Sequence, residues 1–338
     1  MYGQATRFLC YSQVLGQQRA KQIVARAIEA DRVPHAYLFK GPDGVGKKLF
    51  ARGVAAALNC RERQGAFACG HCVSCRKLLS GNHPDYTVVQ PDKGAIKIDQ
   101  VRSLCRDLSF PPYESPVRVV VLEDVHTMRR EAANSLLKTL EEPPQNNVLI
   151  LTAESSCEIL TTISSRCQVV SFYPLTENEV STALQGKELP PLAENEQGLL
   201  ARLAEGSPGK MLLLSTTAVL PVWKKAQKLF IDPALQGDAE IGAWLQCAEE
   251  IALLKEDMTY FFAILRLMIR DHLLNLSGVQ ESLCSLTDWG FSENKLRWSR
   301  PALLQALHYI DTAEKKMVYN CNNTLVCEVL LFALQRLK

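Results

Sequence analysis

The chain has 338 residues, 47% of them hydrophobic and 22% charged, with 18 Gly and 16 Pro, a globular composition that excludes collagenous, disordered and low-complexity classes. Lys and Arg number 38 against 36 Asp and Glu, for a formal net charge of +2, so binding to nucleic acid by bulk charge is not expected. The longest apolar runs, such as Val119-Val120-Val121-Leu122, fall far short of the ~20 residues that span a bilayer.

Met1-Tyr2-Gly3-Gln4 lacks the basic start and apolar stretch of a secretory leader. The cytoplasm is therefore the expected compartment, and its 12 Cys are expected as thiols or metal ligands rather than disulfides. Residues 17–30 predict an amphipathic helix with Ile23, Val24, Ala27 and Ile28 on one face. A buried strand at 35–39 runs into a glycine-rich turn, and 49–58 is helical. Strands follow at 86–89, 117–122, 148–152 and 167–172, with helices at 98–108 and 130–140 between them. Short apolar strands without alternation, separated by helices, predict a parallel sheet covered on both faces.

After Pro174 the strand signal ends. Short helices are predicted at 177–184 and 196–204, followed by a break at Gly206-Ser207-Pro208-Gly209. From Val222 onward the pattern is helical, notably at 257–276, 301–317 and 325–337. Phe261, Phe262, Leu265 and Met268 suit either a domain core or an inter-subunit face. Lys224, Lys225 and Lys228 read as a solvated helix face. The plan is an α/β domain over 1–175, a small helical domain over 176–220 and an all-helical domain over 221–338, with no repeat.

Gly41-Pro42-Asp43-Gly44-Val45-Gly46-Lys47 fits the phosphate-loop pattern through its lysine. Gly41, Gly44 and Gly46 let backbone N–H groups converge on phosphate, Lys47 adds a point charge, and the next helix presents its positive end. The pattern then asks for a Ser or Thr that ligates Mg²⁺, where this chain has Lys48. A second requirement is an acid at the end of a buried strand. Glu123 and Asp124 follow Val119–Leu122, in the reverse of the usual Asp-Glu order. Nucleotide binding is conceivable here, whereas Mg²⁺-dependent hydrolysis is not expected.

Cys60, Cys69, Cys72 and Cys75 form C-x8-C-x2-C-x2-C. Two-residue gaps turn successive thiolates onto one ion, and four Cys make a closed, structural zinc site. His71 is a crowded substitute ligand. The other eight Cys read as core.

Ser135-Leu136-Leu137-Lys138-Thr139-Leu140-Glu141-Glu142-Pro143-Pro144, followed by Thr162-Ile163-Ser164-Ser165-Arg166-Cys167, resembles the clamp-loader subunits of bacterial DNA polymerase III, which are AAA+ proteins. Asn82-His83-Pro84-Asp85, Ile98-Asp99-Gln100-Val101-Arg102 and Gly206-Ser207-Pro208-Gly209-Lys210 strengthen the likeness, which spans roughly residues 13–212. The resemblance implies an AAA+ domain with an inserted zinc module at 60–75, a helical lid and a C-terminal collar. It also implies gamma/tau and delta partner subunits, with the sliding clamp and primed DNA reached through the complex.

The ATP-hydrolysing gamma/tau subunit of that family has Thr or Ser at position 48, Asp-Glu at 123–124, and an Arg near 209. This chain has Lys48, Glu123-Asp124 and Gly209. The family likeness therefore points to a subunit with no catalytic residue in cis. Its Ser-Arg-Cys motif implies that Arg166 is an arginine finger for a neighbour's ATP site. The alternatives are an active gamma/tau-type ATPase, and an Arg166 that merely pairs with a nearby carboxylate.

Overall fold

The computed structural model describes residues 10–337 except 93, 156, 158, 186–189, 232–240, 278–297 and 320. The chain forms two compact units, one of residues 1–183 with 206–209, the other of 184–205 with 210–338.

The first unit is built on five strands, β1 (Ala36–Lys40), β2 (Tyr86–Val89), β3 (Arg118–Leu122), β4 (Asn147–Ala153) and β5 (Gln168–Ser171). Every pairing is parallel, in the order β2-β3-β4-β1-β5. The helices are α1 (Gln18–Glu29), α2 (Lys47–Asn59), α3 (Val73–Leu79), α4 (Ile98–Leu108), α5 (Arg130–Glu141), α6 (Thr161–Ser164) and α7 (Glu177–Leu184). Strand side chains alternate between two buried layers. Tyr37, Phe39, Val119, Val121 and Ile150 pack with α1 and α2 residues such as Val24, Phe50 and Val54. Ala36, Leu38, Val120, Leu122 and Leu149 pack with Leu104 of α4 and Leu136 and Leu140 of α5. Two covered faces are why the strands show no polar alternation.

Phe50 sets the position of α2. Its ring lies 5.2 Å from both Tyr11 and Phe172 and 5.5 Å from Phe39, so truncating it to Ala would cost ~3–5 kcal/mol. The loop that enters α2 is thereby fixed at the carboxyl end of β1. In open α/β sheets that end, near the strand where the order reverses, is where ligands sit.

The second unit is helical: α8 (Glu194–Ala204), most of α9 (Pro208–Thr216), α10 (Val219–Ile231), α11 (Ile241–Leu253), α12 (Met258–Leu276), α13 (Arg300–Val318) and α14 (Asn323–Gln335). Phe261, Phe262, Leu265 and Met268 are all buried within it, where the Trp223 and Phe261 rings meet at 5.8 Å. They are core. Lys224 pairs with Glu196, and Lys225 with Glu250 at 2.7 Å. Parts of the helical pattern expected after Val222, at 232–240 and 278–297, lie outside the described residues.

One difference from expectation concerns the break at 206–209. Gly206 has φ +75°, but Pro208 starts α9. Proline is suited to a first helical turn, where its missing N–H has no partner to lose. Helix α3, unanticipated, begins at Val73 with Cys72 of the cysteine cluster as its N-cap. Among the scattered cysteines of the described residues, Cys247 and Cys327 are buried, and the half-buried Cys105 and Cys167 pack against the core, as expected. Cys10 and Cys157 are half-buried and Cys321 is exposed, which corrects their reading as core, and Cys284 lies outside the described residues.

Candidate functional site

The phosphate loop lies between β1 and α2, with Gly44 at φ +71° and Gly46 at φ +99°. These left-handed turns suit residues without a Cβ. Lys47 is 3% exposed. Its ammonium donates to Gly41 O at 2.7 Å and Pro42 O at 2.6 Å, so the loop's own carbonyls hold it. Burial lowers its pKa below the usual lysine value, and the Asp43, Asp124 and Glu154 carboxylates work against that shift.

Lys48 reaches from the first turn of α2 to the end of β3. Its Nζ is 2.8 Å from Glu123 Oε2 and 3.1 Å from Asp124 Oδ2. Glu123 is buried, and a buried charge is costly unless it is paired. Burial opposes the charge on Lys48, but its bonds to the two acids outweigh this and hold its pKa above the ordinary value. Asp124, at φ +53°, is tied to β4 by its N–H, which donates to Thr152 Oγ1 at 3.0 Å. The three residues form a closed charge set, with an ammonium in contact with both acids.

Gly209 closes the loop from another side. Its N–H donates to Gly44 O at 3.1 Å, and a Cβ on Gly209 would lie 2.7 Å from Gly44 Cα. A side chain at 209 therefore collides with the loop backbone. From the sequence this position was only a missing arginine; the direct contact with Gly44 carries no local signal.

The four cysteines converge as their spacing requires. Cys60 ends α2, Gly70 turns the connecting loop at φ +82°, Cys72 caps α3 and Cys75 lies within it. All four Sγ atoms lie within 4.8 Å of one another. Cys60 and Cys72 are 4.0 Å apart, as are Cys69 and Cys75. Tetrahedral zinc with Zn–S bonds near 2.3 Å needs sulfurs about 3.8 Å apart, so the set fits one such ion. Cys69 N–H points at Cys60 Sγ and Cys72 N–H at Cys69 Sγ, at 3.2 and 3.3 Å. Burial raises the Cys72 thiol, but backbone N–H groups and neighbouring thiols overcome it and bring it down to about 6. His71 turns to Glu62, at 3.2 Å, on the exposed side.

Arg166 follows α6, just before β5. Its guanidinium bonds Glu141 Oε1 at 2.5 Å, Thr162 O at 2.9 Å and Ser165 Oγ at 3.3 Å. The side chain stays 34% exposed and that of Glu141 49%. Both lie in motifs that the sequence singled out.

Asn82-His83-Pro84-Asp85 is a structural anchor. The buried Asp85 carboxylate accepts N–H bonds from Tyr113, Glu114 and Ser115 at 2.5, 2.9 and 2.9 Å. Burial works against its charge, yet these bonds hold its pKa below the usual carboxylate value.

Residues 16–176 match the family described as DNA polymerase III, delta subunit. The chain is 38% identical over 175 residues to the delta-prime subunit of DNA polymerase III from Bacillus subtilis, covering 52% of this chain and 53% of that one. With the delta-prime subunit of Pseudomonas aeruginosa it shares 41% over 177 residues, again 52% and 53%. The tau subunit from Bacillus subtilis is 27% identical over 94% of this chain and 60% of its own length. The alignments thus span about half the length of the delta-prime relatives. No helix among the described residues is long and apolar enough to cross a membrane.

Proposed function

We propose that this chain, a relative of the delta-prime subunits of DNA polymerase III, serves in a bacterial clamp loader as a subunit that does not hydrolyse ATP. In this reading it sits beside gamma/tau and delta subunits, and the assembly opens the sliding clamp and places it on primed DNA in the cytoplasm. Residues 1–175 act as the AAA+ domain, 176–220 as a lid, and 221–338 as the collar.

The observation that carries this reading is Lys48 between Glu123 and Asp124. Hydrolysis requires Mg²⁺ held by a loop hydroxyl and a strand-end acid. Here the hydroxyl is missing and the acids already hold a cation that is part of the chain. Lys47 bonded to Gly41 and Pro42, and Gly209 against Gly44, favour the same conclusion. The four cysteines stiffen the module between α2 and α3 when zinc is bound.

Arg166 is the residue assigned to act in trans. A guanidinium inserted beside a transferring phosphoryl group stabilises the charge that builds on its oxygens. Its bond to the half-exposed Glu141 belongs to the class of surface ion pairs worth ~0–1 kcal/mol. A triphosphate from a neighbour, with more charge and a matching oxygen geometry, would displace that carboxylate at little cost.

The test is a loader reconstituted with Arg166→Ala or Arg166→Lys. Both variants are expected to assemble, and clamp- and DNA-stimulated hydrolysis should fall, by as much as ~10³ at the affected site. Loss in the Lys variant follows because an ammonium cannot reproduce the planar fork. Wild-type clamp loading by a normally assembled Ala variant would reduce Arg166 to a structural residue. Vigorous ATP turnover by the chain alone, abolished by Lys47→Ala, would establish the gamma/tau-type alternative.

A further inference from the structure

At the end of the sheet that carries the phosphate loop, His126, Glu154 and Cys157 bring a ring nitrogen, a carboxylate oxygen and a sulfur within 4.8 Å of one another. Local tethers create the approach. The N–H and Oγ1 of Thr127 both donate to Asp124 O, at 2.9 and 2.8 Å. They close a tight turn over Val125–Thr127 that places His126 beyond the end of β3. The bond from Asp124 N–H to Thr152 Oγ1 fixes that turn against β4, whose last residue precedes Glu154. Cys157 N–H donates to Glu154 O at 3.4 Å, a turn that sets residues i and i+3 on one side.

The contacts within the trio are weak ones. Glu154 N–H approaches His126 Nδ1 at 3.5 Å, and Cys157 Sγ lies 3.9 Å from Glu154 Oε2. All three side chains are half-buried, neither sealed in the core nor loose in solvent. None belongs to the four-cysteine set, although the Glu154 carboxylate is near enough to favour the charge on Lys47.

We infer that His126, Glu154 and Cys157 form a second metal site, for a divalent transition metal of borderline softness such as Zn²⁺. The donor set decides the class. Thiolate and imidazole disfavour Mg²⁺ and Ca²⁺, which take oxygen, whereas zinc accepts sulfur, nitrogen and carboxylate together. Three protein ligands leave a fourth position for water or another ligand, unlike the closed set at Cys60, Cys69, Cys72 and Cys75. Binding requires a neutral imidazole, an ionised Glu154 and a Cys157 thiolate, so the thiol proton is released to solvent as the metal–sulfur bond forms. The site is independent of the clamp-loader reading.

Metal titration of the full chain tests it. Stripped of metal and titrated with Co²⁺, the protein should take up two equivalents, one with the strong sulfur charge-transfer band of four thiolates and one with a weaker band. Cys157→Ser and His126→Ala should each remove the second equivalent and leave the first spectrum unchanged. Cys72→Ser should do the reverse. In wild-type protein, Zn²⁺ should slow alkylation of Cys157 as well as of the clustered cysteines, a readout that needs no variant to fold. A single equivalent bound in excess metal, with Cys157 alkylated as fast as in metal-free protein, overturns the site. So does a second equivalent that survives both Cys157→Ser and His126→Ala.

Discussion

The cysteine module and the loop end of β3 both gather ligand groups that suit a cation, and they differ in where that cation would come from. The module gathers four sulfurs within 4.8 Å of one another, in contact with each other and with backbone N–H groups. The loop end of β3 gathers two carboxylates and holds Lys48 against both. One set of ligands could take an ion only from solution, while the other carries its counter-charge on the chain. Spacing alone does not separate these cases; the residue beside the ligands does.

The largest effect should come from the module. Structural zinc sites contribute ~10–16 kcal/mol of apparent binding free energy in small fingers. Cys72→Ser is expected to abolish tight zinc uptake at the four cysteines and expose residues 60–75 to proteolysis. The sheet should still fold, because one buried layer rests on α4 and α5 and the other, which Cys72 and Cys75 join at its edge, rests mainly on α1 and α2. Metal analysis with limited proteolysis checks this, and a variant that keeps a full equivalent at the four-cysteine site removes the distinction between the regions.

Next in size is Gly209→Arg, which would restore by sequence the arginine of an ATPase. The Cβ alone meets Gly44 Cα at 2.7 Å, and overpacking of this kind typically costs ~1–3 kcal/mol. Thermal unfolding should drop accordingly, with no ATPase gained. A neutral or stabilising result would mean that 206–209 does not close on the loop in solution.

These two positions mark how far sequence reading reaches. The sheet, helices α1, α2, α4 and α5, the glycine-rich loop and the cysteine cluster were legible because each is local: a run of apolar residues, a glycine spacing, a C-x2-C pair. Lys48 was legible as a missing ligand, yet its bonds to Glu123 and Asp124, 75 and 76 residues away in numbering, depend on β3 lying near β1 across β4. Gly209 against Gly44 and the trio of His126, Glu154 and Cys157 likewise come from tertiary closure. The start of α9 at Pro208 was hidden for another reason, since Gly and Pro mark breaks and helix starts alike.

A smaller effect is expected from Lys48→Met, which keeps the length of the side chain and removes its charge. Glu123 would then be buried without its cation. Leaving such a partner unsatisfied costs ~1–3 kcal/mol, and the half-exposed Lys48 places the loss near the lower end. The sign with pH follows from the raised pKa of Lys48. Its contribution is complete below the unfolded lysine value of about 10.4 and is lost as pH rises through the higher folded value. The stability gap between wild type and Lys48→Met, measured by urea unfolding, should therefore be constant through neutral pH and narrow only in strong alkali. The same variant should admit Mn²⁺ weakly at Glu123 and Asp124, where wild type admits none. Equal Mn²⁺ binding by both proteins would mean that Lys48 does not serve as the built-in cation.

The smallest effect on the chain itself belongs to Arg166→Ala. Arg166 and Glu141 are partly exposed, at 34% and 49%, and pairs of this kind contribute ~0–1 kcal/mol. The other partners, Thr162 O and Ser165 Oγ, are within four residues and can turn to water. The unfolding midpoint of the isolated chain should thus move little, and zinc content should not change. This near-silence is what distinguishes a finger from a strut. A structural arginine declares itself by destabilising its own chain, whereas a finger is silent until a neighbour's phosphate reaches it. Glu141→Gln provides the matching control, because it loosens the guanidinium without removing it. If Arg166→Ala lowers the midpoint of the isolated chain as much as Gly209→Arg does, the arginine serves this fold rather than another subunit's site.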